Sequence, residues 1–263
     1  MTHVRLRRFL GPLLAVSPAA GLRHCSVIGS ALAKPIDAVG DLDVYVVVEK
    51  MTADTWKLLM AAAGEVTRRL AAPTGSAWRV ETFRAPVSPS PRASTRQLHL
   101  LIDDHASIST IPRLLLWKYA AGGMLLSGAP IELLTPLARG IVHDSAARDA
   151  AGALRTALRS VSRCQILGLT WTLSPRPRLR SQALDVRTRW HYRCLIKGAI
   201  SAGDGVFGAA AALLGHRHPL QPMALRFADT LTDWQDIKAQ WPAIAPDLAR
   251  ALRARIRILR EIS

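Results

Sequence analysis

The chain has no run of about eighteen consecutive apolar residues, so a membrane-spanning helix is not expected. It is poor in cysteine. Cys25, Cys164 and Cys194 are odd in number and show no Cys-x-x-Cys spacing. That excludes a disulfide framework or a zinc site of the usual pattern and suits a reducing, cytoplasmic setting. Acidic residues are also scarce: 19 against 35 lysines and arginines, for a net charge of +16. No internal repeat is visible, and no recognisable RNA-binding module.

The residues that are present point to one large domain or two small ones with proper cores, given 263 residues. Arg5, Arg7 and Arg8 followed by the apolar run from Phe9 to Val16 imitate a secretory signal. The run is short and leads straight toward the segment ending at Gly29, so it is read as an opening helix packed on a sheet. Helices are expected over 4–17 and 52–71, the second capped by Thr52 or Asp54. Strands are expected over 24–28, 42–49, 78–84 and 96–102. The proline- and serine-rich stretch 85–95 reads as a hairpin loop. From Ile111 onward no strand is expected. Helical segments are placed near 111–126, 145–173, 181–201, 205–214, 223–240 and 245–261. Pro-rich breaks at 174–177 and 218–222 separate some of them. The fold class is therefore α+β, a small mixed sheet followed by a C-terminal helical bundle, with domains at 1–140 and 141–263 and a cleft between them.

The most informative pattern is Ile28-Gly29-Ser30, ten intervening residues, and then Asp41-Leu42-Asp43-Val44. Residues two apart in a strand share a face. Asp41 and Asp43 therefore stand side by side, while Leu42 and Val44 point into a core. Two like charges so placed repel. A divalent cation would offset that cost, and hard oxygen ligands favour Mg²⁺. Such a site is one way phosphoryl and nucleotidyl transfer are catalysed. Gly29 lets the backbone approach a phosphate because it has no Cβ. Ser30 and neighbouring backbone N–H groups can donate to phosphate oxygens.

This order of Gly-Ser, short spacer and Asp-apolar-Asp strand resembles the DNA polymerase beta-like nucleotidyltransferase superfamily, over roughly the first half of the chain. The resemblance implies a nucleotidyltransferase sheet, a C-terminal helical bundle, a nucleoside triphosphate co-substrate and Mg²⁺. It also implies a third carboxylate on a neighbouring strand. Trp78-Arg79-Val80-Glu81-Thr82-Phe83 resembles the corresponding strand of kanamycin-type enzymes, which makes Glu81 a metal ligand or the base that takes the acceptor proton. The alternative is an edge-strand glutamate paired with Arg79 or Arg84. His99, Asp103 and Asp104 compete for the third position. His99 is read as a satisfied sheet residue, and the two aspartates as turn residues or a helix cap. Lys34 falls one position later than the basic residue common in the family.

Ten basic residues and a single acid lie between Arg155 and Lys197. Arg155, Arg159 and Arg163 form one stripe, Arg189, Arg193 and Lys197 a second, and Arg250, Arg253, Arg257 and Arg260 a third. Each is either a polyanion-binding face or a solvated one. The second is preferred because aromatic groups interleave with its charge. A lysine and a tyrosine reaching the triphosphate fit what the resemblance implies, with Tyr192, Arg193 and Lys197 as candidates. The reading is transfer of AMP from ATP to a small-molecule acceptor, with release of pyrophosphate. An RNA end such as tRNA is the alternative acceptor, and a non-catalytic, antitoxin-like nucleotide binder the second alternative.

Overall fold

The computed structural model of the chain describes residues 3–85, 95–134, 142–174, 176–217, 220–233 and 236–263. The fold is α+β, with a five-stranded mixed sheet and a largely helical C-terminal half.

The chain opens with α1 (His3–Ala15) and a short α2 (Ser17–Ala20), ended by Gly21 at φ 59°. Strand β1 (Leu22–Ile28) follows, then 3-10 turns at Gly29–Ala33 and Ile36–Ala38, then β2 (Asp41–Val48). Helix α3 (Ala53–Thr74) starts where expected, with the Thr52 hydroxyl accepting from the Thr55 N–H. Strands β3 (Ala77–Glu81) and β4 (Thr95–Asp104) complete the expected set. The hairpin loop expected at 85–95 lies almost wholly outside the described residues. Next come α4 (His105–Ile108), α5 (Arg113–Gly122), β5 (Met124–Gly128) and α6 (Ile131–Leu134). The domain boundary placed at 140/141 lies outside the described residues.

The sheet order is β3-β4-β2-β1-β5. Strands β2, β3 and β4 run parallel, and β1 is antiparallel to both β2 and β5. The β2 pattern of alternating faces explains its two-sided burial. Leu42, Val44, Val46 and Val48 pack under α1 and α3, whose Leu6, Leu10, Leu13, Leu59, Ala63, Val66 and Leu70 repeat at helical spacing. On the opposite face, Tyr45 and Val47 join Leu101, Ile108 and Leu116 beneath α5. The opening segment therefore packs on the sheet as its amphipathic pattern suggests.

The second half contains α7 (Val142–Arg163), β6 (Gln165–Thr172), β7 (Arg178–Asp185), α8 (Arg189–Ile200), a π-helical turn at Ser201–Val206, α9 (Phe207–Leu213), α10 (Met223–Arg226), α11 (Ala228–Thr232) and α12 (Ile237–Glu261). Its core joins α7, α8, α9 and α12 through Leu154, Leu195, Phe207, Leu248 and Leu252.

Three strands correct the all-helical reading beyond Ile111. β5 adds an edge to the main sheet, and β6 with β7 forms an antiparallel ribbon. The helix expected over 145–173 stops at Arg163, because Cys164 adopts φ 52°, a left-handed conformation that ends the helix. The helix expected over 181–201 begins only at Arg189, where Thr188 caps it. The break at 174–177 falls between β6 and β7 instead of between helices; Pro175 lies outside the described residues, as do 218 and 219 in the second break. The segments 223–240 and 245–261 are partitioned differently as well, since α12 runs unbroken through Pro242 and Pro246.

The ribbon joins the two halves. The N–H groups of Arg84 and Leu169 each donate to the other's carbonyl, at 2.8 and 2.9 Å. The Trp171 indole donates to the Ile102 carbonyl at 3.0 Å. Gly168 lies where a Cβ would stand 2.6 Å from the Phe83 ring, so only glycine lets the ribbon approach that closely.

Candidate functional site

The parallel register builds the site. Asp43 is paired with His99 across β2 and β4, and His99 with Glu81 across β4 and β3. Paired residues share a face, so Asp43, His99 and Glu81 form one row, with Asp41 two residues before Asp43 on the same face. The antiparallel neighbour of Asp43 is Ile28, which delivers Gly29 to the same end of the sheet.

Gly29 has φ 80°, and a Cβ placed on it would stand 2.7 Å from Asp43 Oδ2. The turn therefore lies directly against the carboxylate, with no room for a side chain. Ser30 continues the 3-10 turn in its backbone; its side chain lies outside the described residues. Lys34 is exposed at the end of that turn. The spacer is anchored by Arg96, which donates to the carbonyls of Ile36 and Val39 at 3.0 and 3.1 Å.

Asp41 has no hydrogen-bond or ion-pair partner among the described residues. Although Asp41 is exposed at the sheet end, partial desolvation, and then the charge of Asp43, raise its carboxyl above the ordinary aspartate range. His99, Lys197 and Lys34 oppose that shift electrostatically, in that order. Lys197 comes from α8, so the helical half supplies a cation to the acid pair.

Asp43 Oδ1 receives His99 Nδ1 at 2.9 Å, and His99 Nε2 meets the Phe83 carbonyl at 3.0 Å. A carbonyl and an ionised carboxylate can only accept, so both ring nitrogens donate. Burial disfavours charge on this imidazole, but the Asp43 hydrogen bond and charge, with Phe83 and Glu81, outweigh it and hold its pKa above the ordinary value. His99 is thus more than the satisfied sheet residue expected from sequence: it is a partner of the acid pair.

The structure does not bring Glu81 to that pair. Two strand spacings, about 9–10 Å of backbone, separate β3 from β2, with His99 between. Glu81 Oε1 accepts from the N–H groups of Thr82 and Phe83 at 3.0 and 2.9 Å, and Oε2 pairs with Arg79 at 3.3 Å. Among the described residues, no group of three His, Cys, Asp or Glu is arranged to hold a metal ion. The donor set that does fit Mg²⁺ is Asp41 with Asp43. This ion commonly takes one or two carboxylates and completes its shell with water and substrate phosphate oxygens.

The other acids have structural work. Asp104 caps α4 in a reciprocal capping box with Ser107, as expected of a helix cap. Asp103 corrects the expectation of a turn residue. It is fully buried in the strand, where its Oδ1 accepts from Arg84 at 2.6 Å and from the Ser107 hydroxyl at 2.9 Å. Tyr45 and Tyr119 lie beside this pair, their rings tilted with centroids 5.0 Å apart.

The arginine stripes separate by environment. Arg155, Arg159 and Arg163 are exposed, as are Arg250, Arg253, Arg257 and Arg260. In the second stripe, Arg189 is exposed, but Arg193 and Lys197 are half-buried. Arg193 lies over the Trp190 ring at 5.9 Å. Tyr192 is turned into the helical core, beside Cys164 and with its ring tilted against Trp241, centroids 5.2 Å apart. Tyr192 is buried in the core while Lys197, about one and a half turns on, is half-buried, which places the two in different surroundings. All three cysteines are free thiols. Burial pushes Cys25 and Cys194 up to about 12, so neither is a nucleophile at neutral pH. No described helix is long and apolar enough to cross a membrane.

No protein-family model matches the chain, and no curated protein matches it. Among solved structures, a spectinomycin adenyltransferase from Enterococcus faecialis, solved with ATP and spectinomycin, aligns over 94% of this chain and 98% of its own. The identity is 11% and the TM-score 0.38. At that level the likeness fixes neither substrate nor chemistry, and the residues of the site carry the functional reading.

Proposed function

We propose that this chain is a Mg²⁺-dependent nucleotidyltransferase that moves AMP from ATP to a hydroxyl of a small-molecule acceptor and releases pyrophosphate. The observation that carries the reading is the contact between Gly29 and Asp43: a glycine turn suited to phosphate sits against a paired carboxylate. Asp41 and Asp43 are the residues that hold Mg²⁺. When bound, the metal supplies charge neutralisation at the triphosphate. Gly29 and Ser30, at the start of the 29–33 turn, are assigned to cradle the phosphates. Lys34 and Lys197, which already bear on Asp41, stabilise the negative charge that develops on the leaving pyrophosphate. Arg193 is assigned to the outer part of the same nucleotide site.

In the transfer, the acceptor oxygen attacks the α-phosphorus in line. The bond from that phosphorus to the α,β-bridging oxygen breaks, and the electron pair leaves with pyrophosphate. The acceptor proton goes to a base. Glu81 is the proposed base, in the same sheet row beyond His99. The acceptor then competes with Arg79 for its Oε2.

A second reading keeps the chemistry and changes the acceptor to an RNA end. It is favoured by the β6–β7 ribbon. Arg176, Arg178 and Arg180 are exposed there and make no ion pair with a carboxylate among the described residues. The test is to incubate the protein with each α-labelled nucleoside triphosphate and a cell extract, then separate RNA from small molecules. Label in the small-molecule fraction supports the first reading, and label in RNA the second. No label in either fraction, with any nucleotide, contradicts both.

A further inference from the structure

We infer that His99 is the positioning residue of the acid pair, holding Asp43 by Oδ1 so that Oδ2 is presented to the Gly29 turn. The inference rests on the proposed nucleotidyltransferase site and adds to it a residue that touches no substrate.

Three observations place His99 in this role. First, its two ring nitrogens are fixed at both ends, by Asp43 Oδ1 at 2.9 Å and by the Phe83 carbonyl at 3.0 Å. His99 is 7% exposed, and its bond to Phe83 is buried while that to Asp43 is partly so. Second, the two oxygens of Asp43 are divided. Oδ1 is taken by His99, while Oδ2 is the oxygen lying against Gly29. A carboxylate bound at one oxygen cannot rotate freely, and its other oxygen keeps one direction. Third, the Phe83 carbonyl belongs to an anchored segment and also accepts from the Ala85 N–H at 3.1 Å. The Phe83 side chain is buried in the core of the helical half and packed against Gly168. The next residue, Arg84, is bound to buried Asp103 and to the ribbon backbone. Orientation thus runs from the helical core through Phe83 and His99 to Asp43. Partners that orient metal-binding carboxylates are worth about 10–100-fold in metal affinity when removed.

The geometry distinguishes two conservative replacements. An asparagine amide nitrogen reaches the Nδ1 position and can donate to Asp43. A glutamine amide nitrogen reaches the Nε2 position, toward Phe83, and leaves Asp43 Oδ1 without its donor. The experiment measures Mn²⁺ binding to the full chain in the presence of an ATP analogue with a methylene between the α- and β-phosphates. The parent protein is compared with His99→Asn, His99→Gln and His99→Leu, each with its melting temperature. The expected result is that His99→Asn stays within about threefold of the parent. His99→Gln and His99→Leu should weaken Mn²⁺ binding by about tenfold or more. A purely structural role would make the Asn and Gln variants lose affinity together, in step with their melting temperatures, and that result overturns the inference. So does unchanged affinity in all three variants. A parent protein that binds Mn²⁺ and the analogue no better than Asp41→Asn overturns the nucleotidyltransferase reading, and the role of His99 with it.

Discussion

Replacing Gly29 by alanine isolates the contact on which the site is built. The residue has φ 80°, and the new Cβ would stand 2.7 Å from Asp43 Oδ2. Two costs arise. An L-residue forced into the left-handed region loses about 1–2 kcal/mol. The contact adds a displacement of the Asp43 carboxylate, which cannot swing aside without stretching its bond to His99. Gly75 provides the control. It has φ 58°, ends α3, and a Cβ there meets nothing within 4 Å. Gly75→Ala carries the backbone strain alone. Both variants should therefore melt several degrees lower, about 2–4 °C for each kcal/mol in a chain of this size. Only Gly29→Ala should lose binding of Mn²⁺ with the methylene ATP analogue, by tenfold or more in line with a displaced ligand. Calorimetric titration of the two proteins side by side reads the difference. If Gly29→Ala binds metal and nucleotide as tightly as Gly75→Ala, the turn is not part of the site and the reasoning fails.

Asp41→Asn should raise the melting temperature of the metal-free protein. The folded carboxyl titrates above its unfolded value, so the native state loses stability as pH rises through that interval, and the amide removes the loss; a lower melting temperature at neutral pH would contradict it. Asp103→Asn leaves Arg84 buried without its charge partner and should cost about 3–5 kcal/mol in denaturant unfolding, whereas a cost below about 1 kcal/mol would show that the pair is solvated. His24 donates to the Ala129 carbonyl from Nδ1 and accepts from Ser26 at Nε2, and burial holds its pKa below the ordinary imidazole value despite that carbonyl and Glu132. Its neutral form stabilises the fold above the unfolded pKa, and the benefit fades as pH falls. The stability gap between the parent and His24→Gln should therefore narrow from about pH 8 to pH 5; a widening gap refutes the assignment. If RNA is the acceptor, binding should fall with a log–log salt slope of roughly −0.7 per phosphate contacted, and triple alanine replacement at Arg176, Arg178 and Arg180 should flatten that slope; an unchanged slope assigns these arginines to solvent.

Part of this organisation is legible in the sequence because local signals and tertiary demands agree. The run from Asp41 to Val48 alternates carboxylate and apolar positions and then continues as valines and a tyrosine, and it forms the central strand. Thr52 announces the start of α3, and Asp104 caps α4. The β6–β7 ribbon is hidden for a local reason. Helix α7 runs to within two residues of β6, and the break between them is a left-handed Cys164, a residue type that gives no warning. Strand β7, Arg-Leu-Arg-Ser-Gln-Ala-Leu-Asp, contains no β-branched or aromatic residue and is held by pairing with β6. His99 and Asp103 are hidden for a tertiary reason. The role of His99 depends on the parallel register that sets it opposite Asp43, 56 positions earlier, and that of Asp103 on a side-chain contact with Arg84, 19 positions earlier and beyond the end of β3. Sequence spacing along one strand cannot reveal which residue stands opposite on the next.

Asp41 and Asp43 are proposed to support transfer of a nucleoside monophosphate. The most direct measurement follows α-labelled ATP with the protein, Mg²⁺ and the acceptor fraction of an extract, counting labelled product and pyrophosphate together. The two should appear in equal amounts and both should be lost in Asp43→Asn, while its far-UV spectrum and melting curve stay those of a folded protein. Equal turnover by the parent and Asp43→Asn in saturating Mg²⁺, or pyrophosphate released without labelled product, would contradict that proposal.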